Sequence, residues 1–309
     1  MGLVVVTEQV CLMFAFLLLG LWAAKVGWVS RDATAGLTHV LIYFVVPCVV
    51  INAFHRQFSA PQMREFGWVT LIDVVSFPVT IAVAYLLVRR AGDDGQRRDL
   101  RFGSVYSNSM FLGVPLAQAL LGTDGVFFVI AYVIAFNLFA WTHGYGMFAD
   151  GTGGLKPALK RIVTNPAVPS LIVGLVLFVT QIQLPGLLMQ GVGLMAGMNA
   201  PLSMLVVGAS LAGAKWAGLL TDRWLWLGVG IRNLLIPLIG VLALWAVPLP
   251  VVVRMAVLIP LACPVAAFLV MFSVKTGKDP TFASSLVTLS TVMSVLTVPA
   301  VVALADALW

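Results

Sequence analysis

The stretch FGSVYSNSMFLGVPLAQALLG (residues 102–122) and the later stretch RMAVLIPLACPVAAFLVMFSVKTG (residues 254–277) decide the predicted fold. Each is long and apolar enough to cross a membrane, yet each carries helix-breaking residues near its middle, notably Pro115 and Pro264. A proline leaves a carbonyl without its helical partner, and hydrocarbon tolerates this only where the backbone is buried or lines a wet cavity. Two interrupted helices at corresponding positions are typical of a transporter's binding site.

The composition indicates a membrane protein. Of 309 residues, 61% are apolar and 10% charged, and a mean hydropathy of +1.04 excludes an ordinary soluble domain. About 20 apolar residues cross the hydrocarbon layer. Ten such runs lie near residues 4–24, 34–54, 66–88, 102–122, 125–148, 166–183, 192–213, 224–247, 251–275 and 281–305. We therefore predict an all-α polytopic protein with ten transmembrane helices in the lipid bilayer.

The distribution of basic residues predicts the orientation. With the amino terminus outside, the inner loops hold Lys25, Arg31, Arg89, Arg90, Arg97, Arg98, Arg101, Lys156, Lys160, Arg161, Lys215, Arg223, Lys275 and Lys278. The outer loops hold Arg56, Arg64 and Arg254, and Arg232 alone lies deep within a span. This bias of 14 against 3 follows the positive-inside rule and places both termini outside. It also accounts for the net charge of +6, so no nucleic-acid partner is inferred.

The two halves of the chain show a weak internal repeat. IDVVSFP (residues 72–78) in the third run matches IRNLLIP (residues 231–237) in the eighth, since each has an ionisable residue five positions before a proline. We predict two inverted five-helix repeats, residues 1–148 and 166–309, joined by a cytoplasmic linker of residues 149–165. Helices 4 and 9 are then the broken crossover helices.

The predicted breaks favour an anion. In this arrangement the second halves of helices 4 and 9 begin after Pro115 and Pro264, and their amino termini face one central point. Unpaired N–H groups and the positive ends of two helix dipoles favour a carboxylate there.

At these residues the sequence resembles the auxin efflux carrier family, whose bacterial members include carriers proposed for malonate and malate. SNSMFLGVPL (residues 107–116) is similar to the family's N-x-G-F-x-G-x-P-L pattern, and residues 263–299 are similar to its last two spans. NPAVPSLIVGL (residues 165–175) and residues 37–54 extend the resemblance over nearly the whole chain. Met110 departs from it, because the family usually has a glycine there, and its side chain either narrows the crossover or fills part of the pocket.

The resemblance implies a fold related to bile-acid sodium symporters. Helices 1, 2, 6 and 7 would form a scaffold and helices 3–5 and 8–10 a mobile transport domain that carries substrate by an elevator movement. It also implies a bacterial inner-membrane location and a homodimer through the scaffold helices. The expected substrate is a small organic anion, such as malonate, malate or an auxin-like acid.

Several residues are candidates for substrate binding. Asn108 either repairs the backbone opened by Pro115 or contacts substrate, and the family motif centres on it. The other candidates at or near the breaks are Ser107, Gly113, Pro115, Cys263, Pro264 and Asn137. For Asn137, a hydrogen bond between helices is the alternative reading.

Coupling to an ion rests on a second group of residues. Asp73 and Arg232 are ionisable groups inside spans, which are costly in lipid, and they either pair with each other or act separately. Ser290 and Thr291 either pack against broken helix 9 or help to bind a cation. The coupling ion would be Na⁺ or H⁺, unless the membrane potential alone drives transport; no other cofactor is expected.

Other classes of protein remain alternatives. A sodium symporter for bile-acid-like anions would share the fold, whereas a non-transporting receptor or scaffold would not need symmetric breaks. An enzyme is not expected, because His39, His55 and His143 are scattered and Cys11, Cys48 and Cys263 show no metal-ligand spacing.

Overall fold

The computed structural model describes residues 3–149, 167–213 and 218–309. These residues form helices, and no β-strand is assigned among them. The first half contains α1 (Leu3–Lys25), α2 (Arg31–Val40), α3 (Val46–Phe54), α4 (Ala60–Leu87), α5 (Asp94–Val105) and α6 (Val114–Phe139). The second half contains α7 (Ala167–Thr180), α8 (Gly186–Gly197), α9 (Asn199–Leu211), α10 (Arg223–Val229), α11 (Ile236–Trp245), α12 (Val251–Ala262), α13 (Phe268–Lys275) and α14 (Thr281–Leu308).

Seven helical segments are long and apolar enough to cross a membrane. They are Glu8–Lys25, Arg31–Phe54, Ala60–Leu87, Ser109–Gly144, Gly186–Leu211, Arg223–Trp245 and Thr281–Leu308. Two shorter apolar helices cover Val168–Thr180 and Val251–Ala262. The predicted all-helical, polytopic class is confirmed, while the ten-helix inverted repeat stays a prediction.

The pattern of exposure is that of a protein surrounded by lipid. Leu18, Trp245 and Leu296 are exposed over 60%, 66% and 69% of their surface, whereas Asp73 and Arg232 are completely buried. In water this arrangement would be unfavourable, because charged groups are almost never fully buried in soluble domains unless they are paired. In a bilayer the apolar side chains meet lipid and the polar groups turn inward.

The segment Ser109–Gly144 contains 36 residues, and a straight helix of that length would measure about 54 Å. This exceeds the hydrocarbon thickness of about 30 Å. The backbone breaks at Gly122, with φ 67° and ψ −161°, a conformation that glycine adopts without a steric penalty. The predicted loop between the fourth and fifth runs is thus reduced to a kink within α6.

The most extensive helix contacts form two groups, which also touch each other where α1 and α3 meet α6. One group has α1 packed on α9 and α3 packed on α7 and α8. Glycines allow the first contact, because a Cβ at Gly20 would overlap the carbonyl of Leu205 and one at Gly208 that of Leu17. In the other group α6 packs on α4 and α12. The division into scaffold and mobile transport domain remains a prediction, and the linker at residues 149–165 lies almost wholly outside the described residues.

Candidate functional site

The two broken segments meet backbone to backbone. Between α5 and α6 the chain is non-helical at residues 106–108, and between α12 and α13 it is non-helical at residues 263–267. The amide of Asn108 donates to the carbonyl of Pro264 at 2.7 Å, and the amide of Ala266 donates to the carbonyl of Tyr106 at 2.9 Å. Ser107 and Val265 form an antiparallel bridge between these bonds. We call residues 106–108 and 263–267 the crossing.

The break before α13 follows from Pro264. The residue before a proline is pushed toward an extended conformation, and Cys263 has ψ 148°. This break lies where the sequence predicts it.

The other break differs from the prediction. We expected the second half of helix 4 to begin after Pro115, but helical structure already resumes at Ser109 as a π-helical turn, Ser109–Gly113. Pro115 lies in the first turn of α6, where a missing N–H costs little. The break, residues 106–108, therefore ends before Ser109 and has no proline within it.

Arg232 joins the ends of two helices. Its Nε donates to the carbonyl of Cys263 at 3.0 Å, and its Nη1 donates to the carbonyls of Ser104 and Val105 at 3.3 and 3.1 Å. Its Nη2 donates to Pro260 at 3.4 Å and to Leu261. These carbonyls lie in or just after the last turns of α5 and α12, where most carbonyls lack a helical donor; that of Pro260 also accepts from the amide of Cys263 at 3.3 Å. The guanidinium thus places a positive charge at the negative ends of two helix dipoles.

Asp73 lies on α4 without such support. It is completely buried, and neither carboxylate oxygen has a hydrogen-bond partner among the residues that the structure describes. The N–H groups of the Arg232 side chain donate to main-chain carbonyls and not to Asp73. The predicted Asp73–Arg232 pair is therefore absent from this conformation. The alternative, in which the two residues act separately, matches the geometry.

Ser290 and Thr291 differ in what they contact. The Ser290 hydroxyl donates to Oδ1 of Asn233 at 2.6 Å and accepts from the amide of Val265 at 3.0 Å. It therefore ties α14 to the crossing. The Thr291 hydroxyl donates to Val287 within its own helix at 2.7 Å. Both arrangements match the packing alternative, since neither hydroxyl is left without a partner.

The predicted substrate-binding residues lie in or close to the crossing, but their side chains have different hydrogen-bond partners. The hydroxyls of Ser107 and Tyr132 are 2.9 Å apart, and the Cys263 thiol donates to the carbonyl of Ile259 at 3.2 Å. Asn137 donates to the carbonyl of Val133 at 2.8 Å. The other members, all buried, are Asn108, Gly113, Pro115 and Pro264.

A small cavity adjoins the crossing. Its lining includes Ile42 on one side and Ser109, Met110, Asn137 and Phe268 on the other. Its volume of about 40 Å³ holds a few waters but no dicarboxylate, so a ligand would need the walls to part. Met110 lines this space, which matches the alternative that it fills part of the pocket.

Sequence reasoning missed Ser109. Its hydroxyl is buried and has no hydrogen-bond partner in the described part of the chain. Its position directly after Asn108 and the break is the feature of the sequence that could have identified it as a site residue.

Within α5 but outside the predicted spans, Asp99 pairs with Arg98. Nε and Nη2 of Arg98 donate to Oδ1 of Asp99 at 2.9 and 2.8 Å. Burial raises the pKa of Asp99 to about 6; Arg98 opposes this rise, and the charges of Asp93 and Asp279 add to it. Throughout the described ranges, no group of three or more His, Cys, Asp or Glu side chains could hold a metal ion.

Comparison with known proteins identifies the family of this chain. A family model described as "membrane transport protein" matches residues 5–302. An uncharacterized transporter of Methanothermobacter thermautotrophicus is 23% identical over 299 residues, which cover 95% of this chain and 96% of the relative. An uncharacterized transporter of Methanocaldococcus jannaschii is 22% identical over 214 residues, covering 66% and 68%.

The match over nearly the whole chain confirms the resemblance noted in the motifs around Asn108 and Pro264. The chain belongs to the membrane transport protein family, that of the auxin efflux carriers, and is a membrane transporter.

Proposed function

We propose that the transported substrate is a small organic anion, a mono- or dicarboxylate, bound at the crossing. The proposal depends on one observation, the buried side chain of Asn108 that has no hydrogen-bond partner among the described residues. Its side chain is 5% exposed and forms no hydrogen bond with any residue that the structure describes. With the unpartnered hydroxyl of Ser109 beside it, a carboxamide at a break in the membrane is well suited to hold a carboxylate.

The charges around the crossing also favour an anion. The guanidinium of Arg232 brings a positive charge that no carboxylate of the described residues neutralises within ion-pair distance. The first N–H groups of the helical segments that start at Ser109 and Phe268 have no helical acceptor, which adds partial positive charge. An incoming carboxylate would meet both features.

The same geometry argues against sodium at this place. Carbonyls at a helix break can bind Na⁺ in transporters. Here the carbonyls that end α5 and α12 accept hydrogen bonds from Arg232, which acts as a built-in cation. We therefore favour transport that is independent of Na⁺ and driven by protons through Asp73 or by the membrane potential.

The movement would be of the elevator type. The groups of helices described above supply a frame, α1, α3, α7, α8 and α9, against which the crossing and its supporting helices would slide. The small cavity between Ile42 and Met110 lies at this boundary, so sliding would open it toward one side of the membrane.

The test is uptake into proteoliposomes. Purified protein is challenged with labelled malonate, malate and indole-3-acetate, with and without Na⁺ and at two pH values. We expect uptake of at least one acid by the wild type, unchanged by Na⁺, and a loss of about tenfold or more in Asn108→Ala. Gln190→Ala, which removes an exposed carboxamide of α8, is the matched control and should transport normally.

Two results would count against the proposal. Normal uptake by folded Asn108→Ala would remove the crossing as the substrate site. Absence of uptake or exchange of every acid by folded wild type would favour a receptor or scaffold instead.

A further inference from the structure

Two neighbouring cavities lie beside α3 and share Asn52. The first, which we call the outer cavity, has a volume of about 580 Å³ and is lined by Asn52, His55, Arg56, Gln62 and Asp124, among others. The second, which we call the amide chamber, has a volume of about 170 Å³ and is lined by Asn52, Gln118, Gly197 and Asn199, among others. No residue of the crossing lines either cavity.

Three carboxamides without partners converge on the amide chamber. Asn199 is 4% exposed, and its Oδ1 is buried without a hydrogen bond. The side chains of Asn52 and Gln118 likewise form no hydrogen bond with the residues described. Of the three, Asn52 is half-buried and Gln118 is exposed, so water can serve both. Since buried polar groups in folded proteins are nearly always paired, the unpaired Oδ1 of Asn199 is the atom that points to a polar ligand.

The backbone adds an acceptor to the same wall. Asn199 starts α9, and Pro201 follows in its first turn. Pro201 has no N–H, so it cannot donate to the carbonyl of Gly197, four residues earlier, which also lines the chamber. The chamber thus offers amide donors for a carboxylate together with acceptors for a hydroxyl or a carboxylic acid proton.

The outer cavity places a positively charged side chain, Arg56, at the entrance to the amide chamber. Nη1 of Arg56 forms an ion pair with Oδ1 of Asp124 at 2.8 Å, and its guanidinium lies 5.0 Å from the ring centroid of Phe127. Asp124 is 70% exposed, so water competes for this pair and it is weak. A carboxylate arriving from this side can replace Asp124 on Arg56.

We propose that the amide chamber is a second binding site, distinct from the crossing, for a small hydroxycarboxylate that enters through the outer cavity. By volume it holds about ten waters, enough for a four-carbon acid. Arg56 attracts the anion, the three amides bind its carboxylates, and Oδ1 of Asn199 with the Gly197 carbonyl accepts from its hydroxyl. This inference rests on the proposed function, because it assumes that the substrate is a carboxylate.

The test uses a cysteine as a reporter. Ala196 lines the chamber without contributing a side-chain polar group, so Ala196→Cys leaves the three amides intact. We measure its labelling by a membrane-impermeant anionic methanethiosulfonate in vesicles, with the unmodified chain as the baseline for native cysteines. The competing probes are malate and succinate, which differ only by a hydroxyl. Gln183→Cys, in the segment between α7 and α8 and outside both cavities, is the matched control.

We expect malate to slow labelling of Ala196→Cys but not of Gln183→Cys. Succinate should protect about tenfold less well, because it leaves the acceptors in the chamber unpaired. Adding Asn199→Leu to Ala196→Cys should weaken protection by malate by a similar factor.

The readout separates the two proposals. Protection by malate without uptake would support the chamber and count against the proposed function. Uptake of carboxylates without protection would overturn the chamber alone. Failure of the reagent to reach Ala196→Cys, or equal protection by malate and succinate, would also overturn it.

Discussion

Nε of Arg232 donates a hydrogen bond to the carbonyl of Cys263 at 3.0 Å, which joins the eighth predicted span to the break in the ninth. The same guanidinium reaches the end of α5, so one side chain holds both interrupted helices. Burying an arginine is favourable only when its donors are satisfied, and here backbone carbonyls satisfy them.

Replacing Arg232 should therefore destabilise the fold. In Arg232→Met the carbonyls that end α5 and α12 lose their donors, and we expect a loss of about 3 kcal/mol or more in the free energy of unfolding. Thermal unfolding in detergent measures it. Arg223→Met, which removes an exposed arginine stacked on Trp224, should change stability by about 1 kcal/mol or less. Equal effects of the two changes would contradict this account.

Replacing Asp73 should alter the response to pH. If the Asp73 carboxylate carries the coupling proton, Asp73→Asn keeps the size of the side chain but removes the group that binds and releases this proton. We expect the variant's uptake to lose its dependence on pH, while the wild type retains it. Asp94→Asn, which changes an exposed aspartate of α5, should behave like the wild type. An unchanged pH profile in Asp73→Asn would leave the membrane potential as the driving force.

Ser290 and Thr291 should respond differently to removal of their hydroxyls. Ser290→Ala removes the donor to Asn233 and the acceptor for the Val265 amide, and we expect a loss of about 1–3 kcal/mol. Thr291→Val removes a bond within one helix and should cost about 1 kcal/mol or less. Chemical or thermal denaturation compares the two. If either change introduced or abolished a dependence on Na⁺, the hydroxyl would be part of a cation site.

The raised pKa of Asp99 predicts that stability falls as pH rises. Its folded-state pKa of about 6 lies above the unfolded value of 3.8, so the protonated form is favoured by folding. This contribution is fully present below pH 3.8 and is lost as pH rises through about 6. It amounts to about 3 kcal/mol. Unfolding temperatures across this range should decline less steeply in Asp99→Asn, and parallel slopes for variant and wild type would refute the assignment.

Much of the fold could be predicted from the sequence because bilayers impose simple rules. Apolar runs mark the helices, and the position of Pro264 marks one break. The other break could not be located in this way, because the proline near it, Pro115, opens α6 and does not cause the break. Three π-helical turns, Leu41–Val45, Ser109–Gly113 and Gly230–Leu235, end two residues before Pro47, Pro115 and Pro237. This pattern links each proline to a widened turn upstream.

The partners of Arg232 could not be predicted from residue types. Its acceptors are main-chain carbonyls, which every residue possesses, and only the three-dimensional path of α5 and α12 brings them together. A search for an acidic partner naturally selects Asp73, at the matching place in the other half. Among the described residues, that carboxylate has no hydrogen-bond partner.

The bridge between Ser107 and Val265 has a consequence for how such a carrier can be altered. Its two flanking hydrogen bonds use only main-chain atoms, those of Tyr106, Asn108, Pro264 and Ala266. Most side chains along the crossing therefore do not hold its two segments together, and they can be changed without breaking these bonds. In the proposed function, substrate preference could therefore be redesigned at positions beside the crossing such as Ser109 and Met110, while the main chain that presents them keeps its shape.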